Sequence, residues 1–97
     1  MKISILDATH TIFEGSVSEA VLPGVDGELS ILDDHEALFV ALTKGYIYLD
    51  ALVQKRAFRL EAEQEGTASR GIKPIKIQRG LARMRNNALV ILVEQEK

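Results

Sequence analysis

The chain has 97 residues, enough for one domain and too few for two. Hydrophobic residues make up 46% and charged residues 27%, with no tryptophan, three phenylalanines and two tyrosines, so a core must come mainly from Val, Ile, Leu and Ala. Cysteine is absent, which rules out disulfides and thiolate metal sites. No apolar run approaches the ~20 residues a membrane-spanning helix needs, and the few apolar residues after Lys2 are too short for a secretory segment. A soluble protein, or one at most peripheral to a membrane, is expected.

The chain opens with Lys2–Leu6, in which Ile3 and Ile5 share one side, the periodicity of a strand. Thr11–Gly15 follows, and Val17–Leu22 alternates again. Pro23-Gly24 and Asp26-Gly27 both read as turn dipeptides. Glu28–Leu32 is a further short strand, Asp33–Glu36 a polar loop, Ala37–Leu42 an apolar segment closed by Thr43-Lys44-Gly45, and Tyr46–Leu49 a run of strand formers.

Residues 50–73 are ambiguous. Phe58, Leu60 and Ala62 alternate with charged neighbours, yet Leu52, Val53, Ala57 and Leu60 also share a helical face. A strand paired with Tyr46–Val53 is expected, followed by a loop over Gln64–Gly71. Beyond it, Pro74–Gln78 alternates, Arg79-Gly80 reads as a break, and Leu81–Arg85 alternates once more. Asn86-Asn87 has the chemistry of a two-residue hairpin turn. Leu89–Val93, five apolar residues in succession, is expected in a sheet interior. The pattern predicts an all-β single domain over residues 1–97, an antiparallel sandwich or barrel of short strands.

Charge is distributed unevenly. Residues 1–36 carry Asp7, Glu14, Glu19, Asp26, Glu28, Asp33, Asp34 and Glu36 against Lys2 alone. Residues 70–85 carry Arg70, Lys73, Lys76, Arg79, Arg83 and Arg85 with no acid. Either these segments lie side by side and neutralise, or they give the molecule two faces of opposite potential.

Catalysis has no convincing candidate. His10 and His35 are the only histidines, and His35 among Asp33, Asp34 and Glu36 reads as part of a solvated acidic loop rather than a metal site. No Gly-x-Ser-x-Gly and no phosphate-binding loop occurs. The basic stretch contains no aromatic residue on which a base could stack, so it reads as a solvated face, with an acidic protein surface as second choice and nucleic acid excluded. No catalytic residue, cofactor or metal is expected.

The string Val21–Leu32, with Pro23-Gly24 and Gly27-Glu28, then His35 and Ala41–Gly45, resembles the epsilon subunit of F-type ATP synthases. In that family a strand ending in Pro-Gly meets a Gly-Glu-x-Gly-x-Leu segment, a Pro-Gly-His-Ala-Pro loop and a Leu-x-x-Gly turn. Phe13-Glu14-Gly15, Ile77–Met84 and Asn86–Val93 extend the likeness, which covers about residues 2–49 and 74–94. Departures are Asp33-Asp34 for the Pro-Gly before His35, Ala37 for the proline after it, Lys44 for the turn proline, and Arg79-Gly80 for a double glycine.

The resemblance implies an antiparallel β-sandwich of roughly eight to ten short strands with an insertion around 50–73, acting as a non-catalytic central-stalk subunit of a rotary proton-translocating ATP synthase. It would bind the gamma subunit and the c-ring and couple rotation to the catalytic head, at the cytoplasmic face of a bacterial inner membrane. By position it assigns Gly24, Asp26, Gly27 and Glu28 to the c-ring side, and His35 and Leu38 to the gamma side. The family commonly continues into an α-helical hairpin where this chain stops, so the inhibition and ATP binding of that hairpin are not carried over. The alternatives are an unrelated β-sandwich interaction module sharing only turn chemistry and, more distantly, an enzyme using the acidic loop at His35.

Overall fold

The computed structural model describes residues 1–50 and 72–95. Nine strands are present: β1 (Lys2–Leu6), β2 (Thr11–Ser16), β3 (Glu19–Gly24), β4 (Gly27–Leu32), β5 (Leu38–Leu42), β6 (Gly45–Asp50), β7 (Ile75–Ile77), β8 (Arg79–Arg85) and β9 (Ala88–Glu94). The described residues contain no helix, and so none long and apolar enough to cross a membrane. The strand expected over 58–63 and the loop over 64–71 lie outside the described residues.

The strands form a curled sheet whose two halves face one another as a sandwich. One layer runs β2-β1-β9-β8-β5 and the other β4-β3-β6-β7. The layers join at a corner on β3. Its first half pairs with β6 through Glu19–Asp50, Ala20–Leu49 and Val21–Tyr48, while its last residue, Gly24, pairs with Leu42 of β5. Backbone bonds from Val25 N–H to Ala41 O (3.0 Å) and from Thr43 N–H to Pro23 O (2.8 Å) brace the corner.

A β-carbon on Gly24 would lie 2.8 Å from the Gly27 carbonyl oxygen and 3.2 Å from Leu29 Cδ2, so no side chain fits at this fold of the sheet. Gly80 has the same constraint in the other layer, where a β-carbon would come within 2.5 Å of the Leu92 carbonyl oxygen.

The sandwich matches expectation, with one departure in strand direction. β1 and β9 pair in parallel, Ile3 beside Leu89 and Ile5 beside Ile91, whereas every other pairing is antiparallel. The N-terminal strand thus enters beside the last one without a hairpin, a placement that local turn chemistry cannot foretell.

Two turn readings change. Pro23-Gly24 is the end of β3, and the turn between β3 and β4 is Val25-Asp26 alone. The positive φ, 124°, falls at Gly27, on the far side of that turn. Arg79-Gly80 is the start of β8, and the interruption after β7 is the single residue Gln78, because Gly80 is required by the close approach of β9. Asn86 and Asn87 do adopt φ of 52° and 58°, the double left-handed turn that matches the right-handed twist of a two-residue hairpin.

The core follows from strand alternation. Ile3 and Ile5 of β1, Ala20 and Leu22 of β3, Ile31 of β4, Ile47 and Leu49 of β6, Ile77 of β7, Ala82 and Met84 of β8, and Leu89, Ile91 and Val93 of β9 all point between the layers. Ile91 is fully buried, whereas its neighbour Leu92 faces outward and is 51% exposed. Ile91→Ala should therefore destabilise by about 2–5 kcal/mol, through lost burial and the cavity left behind. Leu92→Ser should stay within about 0.5 kcal/mol of the parent, as expected of a surface position. Urea unfolding of the two variants checks both.

Candidate functional site: a two-faced sandwich

With the inner faces consumed by the core, what the molecule can offer lies on its outer faces and at its two ends. The turn between β3 and β4 forms one end. Val25, Asp26, Gly27 and Glu28 are exposed there, and Gly24 is buried beneath them. The loop after β4 forms the other, so the two predicted site groups are separated by the length of β4, a six-residue strand of roughly 20 Å.

At that second end, Asp34 holds a φ of 62° and donates its N–H to Asn87 Oδ1 at 2.7 Å, which ties the loop to the hairpin between β8 and β9. His35 is half-buried; its backbone N–H donates to Leu32 O and its Nδ1–H to the Glu36 carbonyl at 2.8 Å. That bond occupies the ring nitrogen nearest the loop. Asp33 is held below the usual carboxylate range, chiefly by a hydrogen bond from the Met1 ammonium. Leu38 is half-buried and packs against the core. Among the described residues no group of three or more His, Cys, Asp or Glu side chains converges on a possible metal site.

The larger feature is one that strand periodicity alone did not single out. On the outer face of β1-β9-β8-β5 the register aligns Ala41, Leu81, Leu92 and Leu6 in a row across four strands, with Phe39 and Val90 in the next row. Phe39 is 69% exposed and Leu81 is exposed beside Leu92. Two adjoining grooves of about 500 and 220 Å³ share Leu81 and Leu92 as floor. Arg83 stands within the second row, between Phe39 and Val90, and Arg79 and Arg85 stand on β8 beyond the two rows. Arg79 pairs with Glu94 at 3.0 Å, an exposed bond that contributes about 0–1 kcal/mol.

The signal was present in Leu89–Val93. A strand apolar on both faces, placed in a two-layer sandwich, can bury only one of them and must display the other.

The arginines of β8 sit on one outer face, with Glu14 of β2 and Glu94 of β9 in the same layer, while Glu19, Glu28 and Asp50 share the other layer with Lys76 of β7. Among the described residues no ion pair joins the acidic first third to the basic last third; the pairs are Met1–Asp33, Asp7–His10 and Arg79–Glu94. Each layer thus carries both signs, and the charge asymmetry along the chain does not become two faces of opposite potential.

These features define a class: a small β-sandwich with rigid glycine-dependent turns and a broad apolar, arginine-bearing outer face. The family described as the ATP synthase delta/epsilon chain β-sandwich domain matches residues 1–96, and the chain belongs to that family. The chloroplastic ATP synthase epsilon chain of Trieres chinensis is 30% identical over 93 residues, 96% of this chain and 57% of that protein. The epsilon chain of Gloeobacter violaceus is 27% identical over 92 residues, again covering 57% of its length. The chain thus spans little more than half of these relatives. A chain in the cryo-EM structure of the Tetrahymena thermophila mitochondrial ATP synthase central stalk and c-ring shares the fold, with a TM-score of 0.70 at 12% identity, over 98% of this chain and 63% of that one.

The loop between β1 and β2 borders the larger groove through Asp7. Its carboxylate accepts the backbone N–H of Thr9 (2.8 Å) and of His10 (2.9 Å), and these bonds, that from Thr9 first, hold it below the ordinary range. A depressed native pKa adds stability above the unfolded-state value, here 3.8, and that increment disappears as pH falls through the lower native value. Asp7→Ala should therefore be less stable than the parent at pH 7, with the gap narrowing below about pH 4. Thermal unfolding across that range measures it.

Proposed function

We propose that this chain is a non-catalytic central-stalk subunit of a rotary, proton-translocating ATP synthase, coupling c-ring rotation to the catalytic head by binding the gamma subunit and the c-ring. The observation that carries the proposal is the apolar stripe of Phe39, Leu81, Leu92 and Leu6 on an otherwise well-packed domain of this family. An exposed contiguous apolar surface on a small soluble domain is a partner interface by default. Arginines in and beside an apolar surface match the anatomy of protein interfaces, in which arginine is enriched and lysine depleted.

In this reading the stripe seats gamma. His35 and Leu38, which lie at the start of the same β5 edge, extend that contact. The opposite end, with Gly24, Asp26, Gly27 and Glu28, meets the c-ring. Gly27 holds the turn in a conformation that other residues adopt only under strain, which fixes where the Glu28 carboxylate projects. That carboxylate is exposed and free to take a charge-assisted hydrogen bond from an arginine or lysine on the ring. Nothing in this scheme calls for a nucleotide, metal or catalytic group on this chain. Its place would be the membrane surface, reached through the complex, on the cytoplasmic face if the host is bacterial.

The purified chain should co-elute with the gamma subunit of its own organism on size exclusion, and Phe39→Asp should abolish co-elution while leaving the thermal unfolding midpoint within a few degrees of the parent. Failure of the parent chain to associate would favour a generic interaction module. Glu28→Lys should leave gamma binding intact and weaken retention on c-ring-containing membranes; equal retention would remove Glu28 from the contact.

A further inference from the structure

The second outer face, that of β3, β4 and β6, is not used by the stripe. Tyr46 and Tyr48 stand on it, 45% and 46% exposed, with ring centroids 6.3 Å apart. Both are held on a strand flanked on each side, by β3 and β7, so the aromatic pair is a fixed platform rather than a loop feature. Val21 lies directly beside Tyr48, and Ser30 completes that row, while Lys76 of β7 stands directly beside Tyr46.

The next row is Leu32–Glu19–Asp50. Two carboxylates directly opposite one another on neighbouring strands repel, and this arrangement weakens a sheet. Glu19 accepts a hydrogen bond from Ser30 Oγ at 2.5 Å, and no cation among the described residues pairs with either acid. At the Tyr48 end of this face, away from Lys76, an aromatic ring stands next to a like-charge pair, which suits cations: guanidinium or ammonium groups can lie over the ring while the carboxylates supply counter-charge. Nucleic acid and anionic lipid are disfavoured, because the same carboxylates repel phosphate.

We propose that this face is a second docking surface, separate from the arginine-bearing one, which takes a basic segment of a partner protein at its Tyr48 end, with cationic side chains over Tyr48 and paired to Glu19 and Asp50. The inference does not rest on the stalk assignment, and failure to bind gamma leaves it standing.

The test is NMR titration of the ¹⁵N-labelled full chain with a hexa-arginine peptide. Saturable shifts should centre on Val21, Ser30 and Tyr48 and on the Tyr48 ring protons. Tyr48→Ala should weaken binding about threefold, the scale of one exposed cation–π contact. Glu19→Lys should weaken it about tenfold or more through local charge reversal, with Glu19→Gln as a gentler variant should the reversal disturb folding. Shifts centred instead on Asp33–Glu36, or an affinity unchanged in Tyr48→Ala, would overturn the proposal.

Discussion

Strand β3 is shared between both layers, and the rest of the structure depends on that sharing. Its first three residues hydrogen-bond within the layer that contains β6, and its last residue bonds to β5 in the other. The chain can turn from one sheet into the next only where the backbone packs without a side chain, which is why Gly24 sits against the Gly27 carbonyl. The same corner leaves Val25, Asp26 and Glu28 projecting from one end of the molecule. One steric constraint thus closes the core and presents the turn.

Closing the core in this way also fixes what remains outside. A two-layer sandwich hides one face of each sheet, so any strand apolar on both sides must leave hydrophobic groups in water. β9 is such a strand, and with β5 and β8 it builds the apolar stripe. The opposite sheet displays tyrosines and carboxylates.

Much of this was legible in the sequence. Ile3 and Ile5, Ala82 and Met84, and Asn86-Asn87 announced their strands and turn through period-2 alternation and residues that accept positive φ. The failures share a cause. Pro23-Gly24 and Arg79-Gly80 looked like turns because glycine near proline or a charge usually is one; here Gly24 faces the Gly27 carbonyl across the β3–β4 pairing and Gly80 that of Leu92 on β9, contacts set by strand register. The parallel pairing of β1 with β9 is likewise a property of chain ends brought together over the whole fold. Leu38 is half-buried against the core, and its neighbour Phe39 faces outward, an exposure that chain position alone did not single out. Charge asymmetry was visible along the chain, but the register mixes the signs, placing Lys76 in the layer of Glu19 and Asp50 and Glu14 in that of the β8 arginines.

Hydroxyl-radical footprinting of the chain within the assembled ATP synthase of its own organism tests the central claim most directly. Phe39, Leu81 and Leu92, reactive in the isolated chain, should lose most of their reactivity in the complex, while exposed Leu32 and Val25 serve as readouts of the other sheet and of the turn. Undiminished labelling of the stripe in the assembled complex, or a synthase that contains no copy of this chain, would contradict the account.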